Sequence, residues 1–234
     1  MAKINVFWFR RDLRLEDNAG LYHSLCSSNP VLPFFIFDTE ILDKLENPRD
    51  ARVEFIHKTL TELNSKLNVA GSNLLVKHGS PIEVWKKLIA EFDIDEVFTN
   101  SDYEPYAIER DSAVKELLAE KQIGFSTYKD HVIFEKDEVL KHDRKPYTIY
   151  TPYSKIWRAQ LSEKDVKAFS SEKLSGNFIK RKKEMLPTLE SIGFQSAGIE
   201  FPSKELPVNI IKNYETTRDI PAINGTSRLS VHLR

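Results

Sequence analysis

Lys3-Ile4-Asn5-Val6-Phe7-Trp8-Phe9, followed at once by Arg10-Arg11-Asp12-Leu13-Arg14-Leu15-Glu16-Asp17-Asn18, decides the fold. Seven residues with almost no polar alternation predict a strand covered on both faces, the usual state of a strand inside a parallel α/β sheet. Three arginines and three carboxylates then fall within eight positions. Ligands bind outside the carboxyl ends of strands in open α/β sheets, so this loop stands where a site would form. Two readings are open. Arg10, Arg11 and Arg14 face a ligand, or they make a solvated loop through internal ion pairs with Asp12, Glu16 and Asp17.

Working outward, helical spacing over residues 18–26, interrupted by Gly20, leads to a second apolar strand over 31–37. Pro33 has no N–H to give to a ladder, which places it at the start of the paired part. The clearest helix is 50–67, where Val53, Ile56, Leu60, Leu63 and Leu67 recur at steps of three and four, opposite Glu54, Lys58, Glu62 and Lys66. A short strand at 74–76 precedes Ser80-Pro81-Ile82-Glu83, which predicts a capped helix start with Pro81 in the first turn and a capping box closed by Glu83. Strands at 96–100 and 125–128 flank a helix at 107–120. Strand, helix and strand repeating every 30 residues or so predict a doubly wound, mostly parallel five-stranded sheet with helices on both faces, Rossmann-like. The chain is too short for an eight-unit barrel.

From Asp130 the pattern changes. Short extended pieces are expected at 132–134 and 147–150, then a helix over 152–161. Residues 162–206, with their serines, glycines and the run Lys180-Arg181-Lys182-Lys183, read as a linker, and a short helix is expected over 206–214. The divisions expected are therefore 1–130 for the α/β domain, 131–161 for an extension, 162–206 for the linker and 207–234 for a truncated helical domain.

The totals exclude several classes of function. Net charge is -1, although residues 1–150 carry -6 and 151–234 carry +5. No overall field advertises a nucleic-acid partner, and Lys180–Lys183 reads as solvated linker rather than a DNA grip. A single cysteine, Cys26, rules out an internal disulfide and suits a reducing compartment. Neither a signal peptide nor an apolar run long enough for a bilayer is visible, so a cytoplasmic protein without membrane contact is expected. The six histidines are scattered, and no metal site is predicted. There is no glycine-rich phosphate loop and no serine elbow. What remains is Arg10, Arg11, Asp38, Glu104 and Glu109 around one sheet edge, with Phe35, Phe37 and Tyr106 as faces on which a flat heteroaromatic ligand could stack. At the other end, Gly225-Thr226-Ser227-Arg228-Leu229-Ser230 gathers hydroxyl and N–H donors that suit a pyrophosphate.

Taken in order, Trp8 to Asn18, Asp102-Tyr103-Glu104-Pro105-Tyr106 with Arg110-Asp111, Tyr150-Thr151-Pro152-Tyr153 with Trp157, Arg218-Asp219-Ile220-Pro221 and Gly225 to Ser230 resemble the DNA photolyase/cryptochrome family along essentially the whole chain. The resemblance implies an antenna domain for a reduced folate, a deazaflavin or a flavin, followed by a linker and a helical domain holding FAD. It implies FAD-phosphate contacts at Tyr214, Thr226, Ser227, Arg228, Leu229 and Ser230, and an antenna site at Arg10, Asp38, Glu104, Tyr106 and Glu109, of which Glu109 matches a family carboxylate and the other four are placed by position. The family's activity is light-driven electron transfer from reduced FAD to a cyclobutane pyrimidine dimer in damaged DNA. The resemblance stops short of the flavin-ring pocket, so no catalytic residue and only weak DNA binding are expected of this fragment. Residues 207–234 are expected to be disordered, packed on the α/β domain or paired with another chain, and otherwise the fragment is a monomer. A cryptochrome-type signalling flavoprotein and an adenine-nucleotide module like the electron-transfer flavoproteins are the alternatives.

Overall fold

The computed structural model describes residues 2–227 and 229–232. In chain order the elements are β1 Ile4–Phe9, α1 Ala19–Cys26, β2 Val31–Asp38, α2 Thr39–Leu42, α3 Ala51–Val69, β3 Leu75–Gly79, α4 Pro81–Glu91, β4 Ile94–Asn100, α5 Pro105–Ala119, β5 Gly124–Tyr128 and α6 Tyr150–Gln160. The strands form one sheet in the order β3-β2-β1-β4-β5, and every pairing is parallel. This is the doubly wound arrangement expected, with its order reversing at β1.

All six residues of β1 are buried, and alternation along the strand sorts them to two faces. Phe7 and Phe9, with Phe35 and Phe37 of β2, pack under α1 and α3 through Leu21, Leu60 and Leu67. Val6 and Trp8, with Phe34 and Ile36, pack under α4 and α5 through Trp85, Leu88 and Leu118. The Trp8 and Trp85 rings meet edge-on at 5.4 Å. Pro33 stands opposite Phe7, and pairing to β3 begins only at Phe34, so the missing N–H falls where no β3 partner has yet arrived.

Gly20, which weakens the helical reading of α1, is required by packing. A Cβ there would lie 2.6 Å from Asn100 Oδ1 and 3.0 Å from the Phe7 ring. The Gly20 N–H donates to that same Asn100 oxygen at 2.8 Å. Asn100 cannot swing aside, because its amide nitrogen is held by Asn18 at 2.9 Å. Gly20→Ala should therefore destabilise the domain by about 1–2 kcal/mol despite alanine's better helix propensity, read as a lower midpoint in urea. A midpoint at or above the native one would show that α1 can back away from β4.

Several local expectations are corrected. Ser80 makes no side-chain cap bond; Glu83 is drawn instead to Lys86 at 2.8 Å, so Pro81 alone marks the start of α4. Glu54 lies on the buried side of α3, with Lys58 reaching it at 3.0 Å. Residues 132–134 and 147–149 form no strand, and α6 begins two residues early, at Tyr150. Tyr153 and Trp157 pack edge-on against Tyr147 and Phe134 at 6.2 and 5.5 Å, a use of aromatic residues that strand propensity misreads.

Residues 162–195 have little regular structure, yet they are fastened to the sheet. Phe178, Ile192 and Phe194 are buried in the core. The Ile179 N–H donates to Val31 O at 2.9 Å, and Asn177 Nδ2 reaches the carbonyls of Leu25 and Ser27 at 3.1 and 2.9 Å. The basic run is likewise partly docked: Lys180 Nζ bonds Ala70 O at 2.8 Å, and the Arg181 guanidinium lies 5.8 Å from the Phe92 ring centroid.

The chain from Ser196 forms a second compact unit. The expected helix over 206–214 is split into α7 Val208–Lys212 and α8 Tyr214–Thr217. Gly225 is buried there, and a Cβ on it would lie 2.7 Å from Thr217 Oγ1, too close for any larger residue without a shift. The described residues of 207–232 thus pack within this unit.

Candidate functional site at the carboxyl ends of the strands

Because β1 is central, the loop leaving it lies between the loops after β2, β4 and β5. That position, rather than its own acidic residues, chooses partners for the arginines. Arg10 donates to Asp111 of α5 and to the carbonyl of Asn100, and its side chain is only 6% exposed. Arg11 reaches Glu104 at 2.5 Å and Asp102 at 3.5 Å. Arg14 pairs with Asp130 at 2.8 Å. The reading of a loop closed by internal ion pairs is thereby overturned. Asp12 accepts from Arg10 N at 3.1 Å, from Asn18 Nδ2 at 3.2 Å and from Asn100 Nδ2. Glu16 pairs with Lys66, and Asp17 takes the Phe169 N–H.

A second layer stands over β2. Tyr106, in the first turn of α5, donates its hydroxyl to Asp38 Oδ2 at 2.5 Å, while Asp38 Oδ1 caps α2 by accepting from Glu40 N at 2.9 Å. Burial pushes the Asp38 carboxyl above its ordinary range, against the pull of the Tyr106 hydroxyl. The Tyr106 hydroxyl is raised as well, by burial and by the carboxylate it serves. Lys44 and the Arg110 guanidinium lie 5.6 and 5.7 Å from the Tyr106 ring. Arg110 and Arg10 also lie 5.0 and 5.3 Å from the Trp8 ring, and both bind Asp111.

The five candidate antenna residues thus occupy one edge of the sheet in different states. Arg10 and Asp38 have their polar atoms engaged within the protein, Glu104 is exposed and paired with Arg11, Tyr106 is half-buried, and Glu109 is exposed on α5. Phe35 and Phe37 are core residues. Sequence reading missed Asn18 and Asn100, both buried, which tie the β1 loop to the end of β4. It also missed His131, whose Nε2 is buried without a partner among the described residues. Burial lowers the His131 pKa, although Asp12, Asp102 and Asp130 oppose this. An asparagine ending a strand that faces a charged loop is the signal that could have found Asn100.

In the second unit, Tyr214, Thr226, Ser227 and Ser230 line one cavity of about 430 Å³ together with Pro202 and Val231. Leu229 is buried, and Arg228 lies outside the described residues. Four hydroxyl-bearing residues around one open pocket have the chemistry to meet a phosphate group. Among the described residues no cluster of His, Cys, Asp and Glu could hold a metal ion, and no helix is long and apolar enough to cross a membrane.

By class, this is a doubly wound α/β domain with a charged, aromatic edge at its strand ends. The profile of the DNA photolyase family matches residues 5–171, and the chain belongs to that family. The deoxyribodipyrimidine photo-lyase of Synechococcus sp. is 32% identical over 251 residues, covering 100% of this chain and 51% of the relative. A photolyase structure from Sulfolobus tokodaii, described with two FAD molecules, is 32% identical over 68% of this chain and 36% of that one, at a TM-score of 0.58. A bacterial class III photolyase from Agrobacterium tumefaciens shares the fold at a TM-score of 0.77, with 24% identity over 99% of this chain and 50% of that one. The chain spans about half the length of the curated relatives it matches. Family membership sets aside the separate adenine-nucleotide module.

Proposed function

We propose that this chain is the antenna-bearing N-terminal part of a deoxyribodipyrimidine photo-lyase, whose whole protein reverses cyclobutane pyrimidine dimers in DNA under light. Similarity to photo-lyases along the full chain is the observation that carries the reading. In it, residues 1–130 are the antenna domain, 131–161 its extension, 162–206 the linker and 207–234 the opening of a helical flavin domain. Tyr214, Thr226, Ser227, Leu229 and Ser230, with Arg228, hold the phosphates of FAD, a role supported by the hydroxyl-lined cavity. Bound and reduced, that flavin supplies the electron that splits the dimer. No catalytic residue is assigned within these 234 residues.

The antenna chromophore, a reduced folate, a deazaflavin or a flavin, is assigned to the edge carrying Arg10, Asp38, Glu104, Tyr106 and Glu109. In this reading Glu104, Tyr106 and Glu109 touch the ligand, while Arg10 and Asp38 hold the wall behind it. A relative described with two FAD molecules supports a flavin among the candidates. Incubation of the chain with each of the three compounds should leave one retained after gel filtration, with its absorbance shifted, and Glu109→Gln should weaken that retention about tenfold, the effect of one lost polar contact. Retention of none, with circular dichroism showing an intact fold, would refute the assignment.

A further inference from the structure

No residue of α6 is buried. Tyr153 and Trp157, one turn apart, fasten the helix through Tyr147 and Phe134. Thr151, Lys155 and Arg158, at steps of four and three, share the opposite side, and all three are exposed. From Arg144 to Ser162 the sequence holds four cations and not one acidic residue, in a chain whose first 150 residues are acidic overall. Among the described residues, neither Lys155 nor Arg158 has an ion-pair partner, whereas Arg10, Arg11 and Arg14 are all neutralised internally. Two unpaired cations and a hydroxyl along one rigid helix face, beside the exposed ring of Tyr150, form a surface complementary to a row of phosphates.

We propose that the outward face of α6, through Thr151, Lys155 and Arg158, binds the phosphate backbone of duplex DNA. The choice of DNA over another polyanion rests on the function proposed above. The contact carries no sequence or lesion information, since phosphates position and bases specify. It adds a grip on undamaged flanking duplex, and Lys180 to Lys183, whose first two members are docked on the protein, does not supply it.

The test is fluorescence anisotropy of the 234-residue chain with a labelled undamaged duplex, titrated between about 50 and 200 mM salt. The native chain should bind weakly, with a negative salt slope. Lys155→Glu with Arg158→Glu should reduce that slope by about 2, so that roughly tenfold of the affinity lost on adding salt disappears. The milder Lys155→Gln with Arg158→Gln should do the same, covering the event that charge reversal disturbs the helix. Lys182→Glu with Lys183→Glu should leave the slope unchanged. Absence of duplex binding, an unaltered slope in the glutamine pair, or an equal loss from the Lys182 and Lys183 pair would each overturn the proposal. Chromophore retention, measured on the same variants, tests the underlying reading separately, because none of the five antenna residues lies on α6.

Discussion

Arg10→Met is expected to destabilise the α/β domain by about 3–5 kcal/mol, the cost of removing one partner from a buried ion pair. The guanidinium is 6% exposed and Asp111 is 15% exposed. Methionine fills much of the same volume, but it leaves Asp111 to Arg110 alone and strips the Asn100 carbonyl of its donor. The loss should appear as a lower urea midpoint with an unchanged slope and should persist in high salt, since buried pairs are poorly screened. Arg10→Met combined with Asp111→Leu should not recover it, because Asp111 also pairs with the buried Arg110, and its loss leaves that guanidinium without a carboxylate. A loss below about 1 kcal/mol, the value of an exposed pair, would mean that this loop is solvated and that Arg10 is free for a ligand.

The sheet was legible in the sequence because β1 and β2 are covered on both faces, and an unbroken apolar run at strand length has few other homes. Helices α3 and α4 were legible for a complementary reason, since one face of each is wet and the spacing shows. The destination of the arginines was not legible. Which carboxylate meets Arg10 or Arg14 depends on β4 lying beside β1 and β5 beside β4, and charge composition within the loop points instead to its nearest acidic neighbours. Gly20 reads locally as a helix breaker, and only the approach of Asn100 explains it. Phe178, Ile192 and Phe194 hide in a stretch of low regularity because isolated apolar residues without a period carry no secondary-structure signal.

At the candidate site the same limit appears as a division of labour. Residues picked by chemistry alone fall into a buried set that builds the edge and an exposed set that faces outward. The motif beginning at Trp8 belongs largely to the first set. Trp8 lies near two guanidinium groups, Asp12 and Asn18 close the loop, and Asn100 joins it to α1. A charged motif at a strand end can therefore be framework, and the groups left to meet a ligand are those with exposed polar atoms.

Asp38 and Tyr106 allow that distinction to be tested through pH. Burial raises the Asp38 carboxyl above its ordinary value, near 4 in an unfolded chain. Between that value and the raised one, the folded protein holds a proton that the unfolded chain has released. Stability from this group is thus fully present below about pH 4 and is lost as pH rises through the folded-state value. Asp38→Asn should flatten this decline, leaving the variant more stable relative to the native chain at pH 7 than at pH 4. Tyr106→Phe acts in the opposite sense, because it removes the hydroxyl that supports the ionised carboxylate. It should cost about 1.5–3 kcal/mol at neutral pH, the range for a hydrogen bond to a charged group, and less in acid, where Asp38 is neutral. In the Asp38→Asn background the cost of Tyr106→Phe should lose its pH dependence. Urea titrations of the four proteins across this range measure all three effects. If the cost of Tyr106→Phe is the same at pH 4 and pH 7, the hydroxyl does not serve the Asp38 carboxylate in solution, and Asp38 belongs with the residues free to meet a ligand.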